Sequence, residues 1–234
     1  MISRIDDPLQ IDSDCRQASC HFDKDLYQEE IQRQFNIILP QTLDCAVQKR
    51  KAEFIAGRYC ARQALAQLDG NFHSPIGIGA NREPLWPEGF VGSITHTHGY
   101  ASAVAASRTK VRAVGIDSET WVEPGIAHDV GGKILTTREN YDAHRHLFES
   151  PQHYLTLVFS AKESLYKCLF PLVNKFFGFH SAAIILQHSA STANGQFRFE
   201  LLENLNDEFC RGYSGHGRYS MHENFVHTAV VLKP

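Results

Sequence analysis

An α+β fold of two pseudo-symmetric lobes, each a small and mostly antiparallel sheet with a long helix packed on it, is what this sequence predicts. Three observations point there. Each half of the 234-residue chain holds one long stretch of helical period, Thr42 to Asp69 and Leu155 to Phe170. Each half also holds several short strand-like runs bounded by turn residues. No repeat or low-complexity linker separates the halves, so two lobes are expected to meet near residue 110, an N-terminal lobe 1–110 and a C-terminal lobe 111–234.

The composition bounds the function. Hydrophobic content of 43% with 21% charged residues is ordinary for a globular chain that can bury a sizeable core. No apolar run has the length of a membrane span, and MISRIDDPLQ lacks a signal-peptide core, so a cytoplasmic protein with no membrane span is expected. A net charge of −3 argues against nucleic acid as partner, while leaving room for a local basic pocket. The six cysteines contain no CxxC pair and read as reduced, mostly buried thiols. Among thirteen histidines, His96-Thr-His98 and His144-Arg-His146 each resemble half a metal site, but neither has an obvious third ligand.

In chain order, residues 1–40 carry no clear pattern, and Pro40 closes them. From Thr42 to Asp69, Leu43, Val47, Phe54, Ala61, Leu65 and Leu68 recur at helical spacing, with Gly70 placed to end the helix. Lys51, Arg58 and Arg62 fall on one narrow arc, which is either a solvated cationic face or an anion clamp. Residues 71–99 read as loops with short strands, and the turn around Val91 to His96 offers backbone N–H groups, hydroxyls and an imidazole to an anion. Tyr100 to Ala106 is a run of small residues suited to a central strand, and Ser107 to Lys110 is expected to close a hairpin with the strand that follows.

That next strand, VRAVGIDSETW, places Asp117 and Glu119 on one side, with Cα atoms about 6.5 to 7 Å apart. The helix after it has a start at Ser150-Pro151 and a stop at Pro171. Along it Thr156, Ser160, Glu163 and Lys167 share one face at about 3.6 residues per turn, an open polar strip opposite Val158, Ala161, Leu165 and Cys168. Taken alone, Glu163 and Lys167 are an ordinary i, i+4 ion pair, and Ser160 to Glu163 has capping-box spacing. Joined to Asp117 and Glu119, Glu163 completes three carboxylates with flanking cations, which describes a Mg2+-dependent phosphoryl-transfer site. Strands are then expected at Ala182 to His188, Gln196 to Leu202, Arg218 to His222 and Phe225 to Leu232, with a hairpin turn in HSASTANGQ.

Three of these segments carry a family resemblance. VGSITH (Val91 to His96), VGIDSE (Val114 to Glu119) and FSAKESLYK (Phe159 to Lys167), in that order, resemble the signature motifs of 4'-phosphopantetheinyl transferases. The branch resembled is the two-lobed, monomeric type of the enterobactin-synthase activating and actinobacterial-like enzymes. KRKAEFIAGRYCARQAL, REPLWP and LFPLVNKFFGF are also similar to it, so the likeness covers about residues 48–185.

The resemblance implies a monomer that moves 4'-phosphopantetheine from coenzyme A to a serine of an acyl, peptidyl or aryl carrier protein, in siderophore, polyketide, nonribosomal peptide or fatty-acid synthesis. Coenzyme A would lie between the lobes, its phosphates met by Arg50, Arg58, Arg82 and Lys162, with Ser93 and His96 near the phosphoadenosine end. Asp117, Glu119 and Glu163 would hold Mg2+, with Mn2+ an admissible substitute. The carrier serine attacks the β-phosphorus and 3',5'-ADP leaves. Glu163 is the expected general base, with Lys162 and Lys167 offsetting charge. Two departures from the family pattern are Thr95, where serine is usual, and Ser118, where an apolar residue is usual. The alternatives are another Mg2+-dependent phosphotransferase and a coenzyme A-binding protein without catalysis.

Overall fold

The computed structural model describes residues 2–5, 9–70, 75–187 and 193–234. The chain divides into two units, Met1–Val114 with Lys233–Pro234, and Gly115–Leu232.

In the first unit, β1 (Ile2–Ile5) and β2 (Cys15–Phe22) precede a short α1 (Glu30–Gln34) and a long α2 (Gln48–Ala66). A small ribbon, β3 (Gly77–Ile78) with β4 (Pro84–Leu85), and the strands β5 (Phe90–Thr97) and β6 (Tyr100–Ser107) follow. The sheet order is β1-β2-β6-β5, antiparallel throughout. Helix α2 lays Ala52, Ile55, Ala56, Cys60, Ala61, Ala64 and Leu65 against Ala18, Cys20, Ala101, Ala103 and Ala105 of the sheet. Small residues on both sides let helix and sheet approach closely. Gly57 marks the closest point, since a Cβ there would stand 2.8 Å from Cγ2 of Ile94. Full burial of Ile55 and Leu65 contributes about 1.5–3 kcal/mol each.

Three expectations for this unit need correction. The helix begins at Gln48 rather than Thr42, because Gln41–Leu43 forms a separate 3₁₀ turn behind Pro40, and Val47 is extended and 73% exposed. Val91 to His96 lies in β5 rather than in a turn, with alternate Val91, Ser93 and Thr95 buried on one face. The hairpin partner of β6 is β5, turned at His98-Gly99 with Gly99 at φ +66°, so Ser107 to Lys110 leads out of this sheet instead.

The second unit comprises β7 (Ala113–Thr120), α3 (Pro124–Ile134), α4 (Pro151–Val173), β8 (Ala182–Leu186), β9 (Asn194–Leu201), β10 (Ser214–Met221) and β11 (Phe225–Leu232). Sheet order is β7-β11-β10-β9-β8, and the β8–β9, β9–β10 and β10–β11 pairs are antiparallel. The strands β9 and β10 start at Asn194 and Ser214, earlier than expected, while His188 and much of the expected turn lie outside the described residues.

Helix α4 starts as expected, with the Ser150 hydroxyl accepting from the His153 N–H at 3.4 Å. Pro171 does not stop it. The helix runs on to Val173, and Asn174 in the left-handed region closes it by donating to the Phe170 carbonyl. Leu157, Val158, Ala161, Leu165 and Cys168 are fully buried. The polar strip is not open along its length. Thr156 accepts from Val122 N–H at 3.1 Å, and Ser160 is paired with Thr228 of β11 at 2.9 Å, so the upper strip fastens helix to sheet and Glu163 and Lys167 remain below.

Candidate active site

Alternation along β7 turns Gly115, Asp117 and Glu119 toward α4. Gly115 is required there, because a Cβ would fall 2.0 Å from the Ser164 carbonyl oxygen and 2.5 Å from the Cys168 nitrogen. The helix backbone therefore lies directly on the strand, and Glu163 and Lys167 flank the contact. Lys167 Nζ donates to Asp117 Oδ1 at 2.6 Å. Asp117 is 3% exposed, and its Oδ2 is buried with no hydrogen-bond partner.

The carboxylates feel one another. Burial pushes Glu119 up to about 8, Asp117 and Glu163 add to the rise, and Lys167 opposes it. Burial likewise raises Glu163, with Lys167 opposing and Asp117 adding. Three acids thus share a low-dielectric region with the Lys167 ammonium among them, leaving excess negative charge. Among the described residues no three His, Cys, Asp or Glu side chains stand at metal-ligand spacing. The donor set still fits a hard divalent cation: all oxygen, mutually repelling, with the Asp117 Oδ2 lone pairs unspent. Beside Glu163 a cavity of about 270 Å³ is lined by Lys162, Glu163, Tyr166, Phe177, Phe179 and Ala182.

In the first unit, α2 and β5 bring Arg50 to His96 Nε2 at 3.1 Å and to Glu53 Oε2 at 3.4 Å, with the Arg50 side chain 47% exposed. Ser93 does not join them. Ile94 and His96 face α2, whereas Ser93 lies on the opposite, buried face of the strand. The cationic arc is neither a solvated face nor an open clamp: Lys51 donates to the Asp44 carbonyl at 2.8 Å, Arg58 to that of Gly77 at 3.2 Å, and Arg62 to that of Phe35. Arg58 is buried over the Phe54 ring with its Nε unpartnered, and burial lowers it to about 10. Arg82 is exposed at φ +67° between β3 and β4.

Residues 39–106 match the family model of the 4'-phosphopantetheinyl transferase N-terminal domain, and residues 113–228 that of the 4'-phosphopantetheinyl transferase superfamily. The 4'-phosphopantetheinyl transferase Npt of Nocardia iowensis is 36% identical over 193 residues, covering 80% of this chain and 84% of that protein. The chain belongs to the 4'-phosphopantetheinyl transferase family. The transferase PptT of Mycobacterium tuberculosis is 37% identical over 190 residues, 80% of this chain and 81% of its own. Enterobactin synthase component D of Salmonella typhimurium is 37% identical over 142 residues, 61% of this chain and 57% of its own. This transferase moves 4'-phosphopantetheine from coenzyme A to carrier proteins.

Within the transferase, the assignment of Lys162 changes as well. Lys162 is 3% exposed, and its Nζ donates to the Ile134 carbonyl at 2.7 Å and to Glu139 Oε2 at 2.8 Å, so its ammonium is committed inside the protein rather than presented to substrate. Two residues escaped the sequence reading. Glu139 left only a faint signal, Thr136 three positions before it. His227, fully buried in β11, meets Ser118 at 2.6 Å and is pushed down to about 3 by burial, which accounts for a polar residue between the strand carboxylates. Nothing local in the sequence links positions 109 residues apart.

Proposed function

We propose that Asp117, Glu119 and Glu163 hold a Mg2+ ion against the pyrophosphate of coenzyme A, and that Glu163 takes the proton of the carrier serine as it attacks the β-phosphorus. The observation that carries this reading is the buried, unpaired Oδ2 of Asp117, on the strand that lies directly against the helix bearing Glu163. A bound Mg2+ neutralises pyrophosphate charge and polarises the phosphoryl oxygens. Glu163, raised by burial, is a better base near neutral pH than an ordinary carboxylate. As the serine oxygen bonds to phosphorus, the bond to 3',5'-ADP breaks, and the Lys167 ammonium offsets charge on the transferring group. Tyr166, Phe177 and Phe179 give the pantetheine arm an apolar wall beside Glu163.

Arg50 with His96, together with the exposed Arg82, is assigned to the coenzyme A phosphates, Arg58 being spent on the Gly77 carbonyl, the N-terminal lobe supplying these contacts and the C-terminal lobe the catalytic ones. The likeness to enterobactin synthase component D makes the carrier proteins of enterobactin synthesis one class of acceptor to try. The described residues contain no helix long and apolar enough to cross a membrane. The transferase is assigned as a cytoplasmic monomer on its likeness to the two-lobed branch.

Incubation with coenzyme A, Mg2+ and several apo carrier proteins, followed by mass spectrometry of the carriers, tests the reading. The expected result is a carrier heavier by one phosphopantetheine, dependent on Mg2+. Unmodified carriers throughout would refute it.

A further inference from the structure

We propose that Glu139 is a positioning residue for the transfer, acting through Lys162 to fix the turn of α4 that carries Glu163 and the cavity wall beside it. The inference rests on Glu163 working at the reaction centre.

Glu139 lies between α3 and α4 and is 7% exposed. Its Oε2 accepts from Thr136 N–H at 2.6 Å, from the Thr136 hydroxyl at 3.0 Å and from Lys162 Nζ at 2.8 Å. Its Oε1 accepts from Ile184 N–H of β8 at 2.8 Å. Lys162 adds a bond to the Ile134 carbonyl at the end of α3. One carboxylate therefore joins three segments: the chain leaving α3, the middle of α4, and β8. Two of these wall the cavity, α4 through Lys162, Glu163 and Tyr166, and the approach to β8 through Phe179 and Ala182. Because Lys162 is the residue next to Glu163, any slip of this turn against β8 carries Glu163 with it.

The arrangement is costly for a merely structural tie. Burying two charges where an apolar pair of similar volume would pack is commonly neutral or unfavourable for stability. The carboxylate does what an apolar pair cannot: it fixes the Thr136 and Ile184 N–H groups and the lysine in one geometry.

The experiment compares wild type with Glu139→Gln, Lys162→Met and the apolar double variant Glu139→Leu/Lys162→Met. It measures kcat and KM for coenzyme A with an apo carrier, and hydrogen exchange at the Ile184 amide. Wild-type turnover in the same assay secures the reading on which the inference rests, and the variants are scored as ratios to it. Glu139→Gln turns an acceptor into a donor facing three donors. Each single variant is expected to lower kcat on the order of 10²-fold, as a small misplacement does. KM for coenzyme A should stay within about twofold, the double variant should be no worse than the singles, and Ile184 should lose protection. A Lys162→Met variant that loses turnover or raises KM while Glu139→Gln keeps wild-type kcat would overturn the proposal, since Lys162 would then act on substrate directly. Should the singles not fold, the double variant decides alone by the split of its kinetic constants: folded with reduced kcat and KM for coenzyme A within about twofold supports positioning, and folded with wild-type kcat or with a raised KM rejects it.

Discussion

The side chain of Glu163 is asked to do the most, and burial equips it by raising its affinity for a proton. Glu163→Gln keeps the volume and removes the base, so transfer should fall about 10²–10⁴-fold with the fold retained, as kcat and circular dichroism will show. Glu119 makes a separate prediction about stability. It holds its proton more tightly in the folded chain, up to about 8 from an ordinary 4.5, so between those values the folded state binds more protons than the unfolded one. Stability without divalent ions must then fall as pH rises from about 4.5 to 8. Calorimetry in chelator should find a Tm that drops from pH 6 to pH 8 in the wild type and drops less in Glu119→Gln. Added Mg2+ should raise Tm more at pH 8 than at pH 6, because about half of the Glu119 carboxyls have already lost their proton at pH 8 and nearly none at pH 6. Equal pH slopes in the two proteins would contradict this account of Glu119.

At the scale of elements, the contact of β7 with α4 aligns the acids, and Gly115 permits it. Gly115→Ala must push the helix off the strand, at about 1–3 kcal/mol as overpacking costs. Tm should fall by roughly 2–4 °C for each kcal/mol, with activity lost in proportion to the displaced Glu163. A Gly115→Ala enzyme with unchanged Tm and kcat would show that the approach is looser than described. The helix itself is legible in the sequence because its spacing is local: the face of Glu163 and Lys167 and the Ser150 cap follow from residues a few positions apart. Strand pairing is less so. The partner of β6 depends on the Gly99 turn and on β2, some 80 residues upstream, which no local pattern announces. The start of α2 is hidden because a 3₁₀ turn and a helix share the same apolar spacing over six residues.

For the whole molecule, the sequence reveals the carboxylates because residue type and strand alternation suffice to aim Asp117 and Glu119 together. It does not reveal where the cations are spent. Lys162 and Arg58 look free in a one-dimensional reading, and only the folded chain shows them committed to Glu139 and to the Gly77 carbonyl. A net charge of −3 likewise hides the local excess of acid around Lys167. Sedimentation should give a single species with the mass of one chain, as expected for the branch resembled. The most direct test of the central claim is Mn2+ binding followed by electron paramagnetic resonance in the presence of coenzyme A. The account predicts one tight Mn2+ per wild-type chain and at least about tenfold weaker binding in both Asp117→Asn and Glu163→Gln. Wild-type affinity in both variants would mean that these side chains do not share one ion.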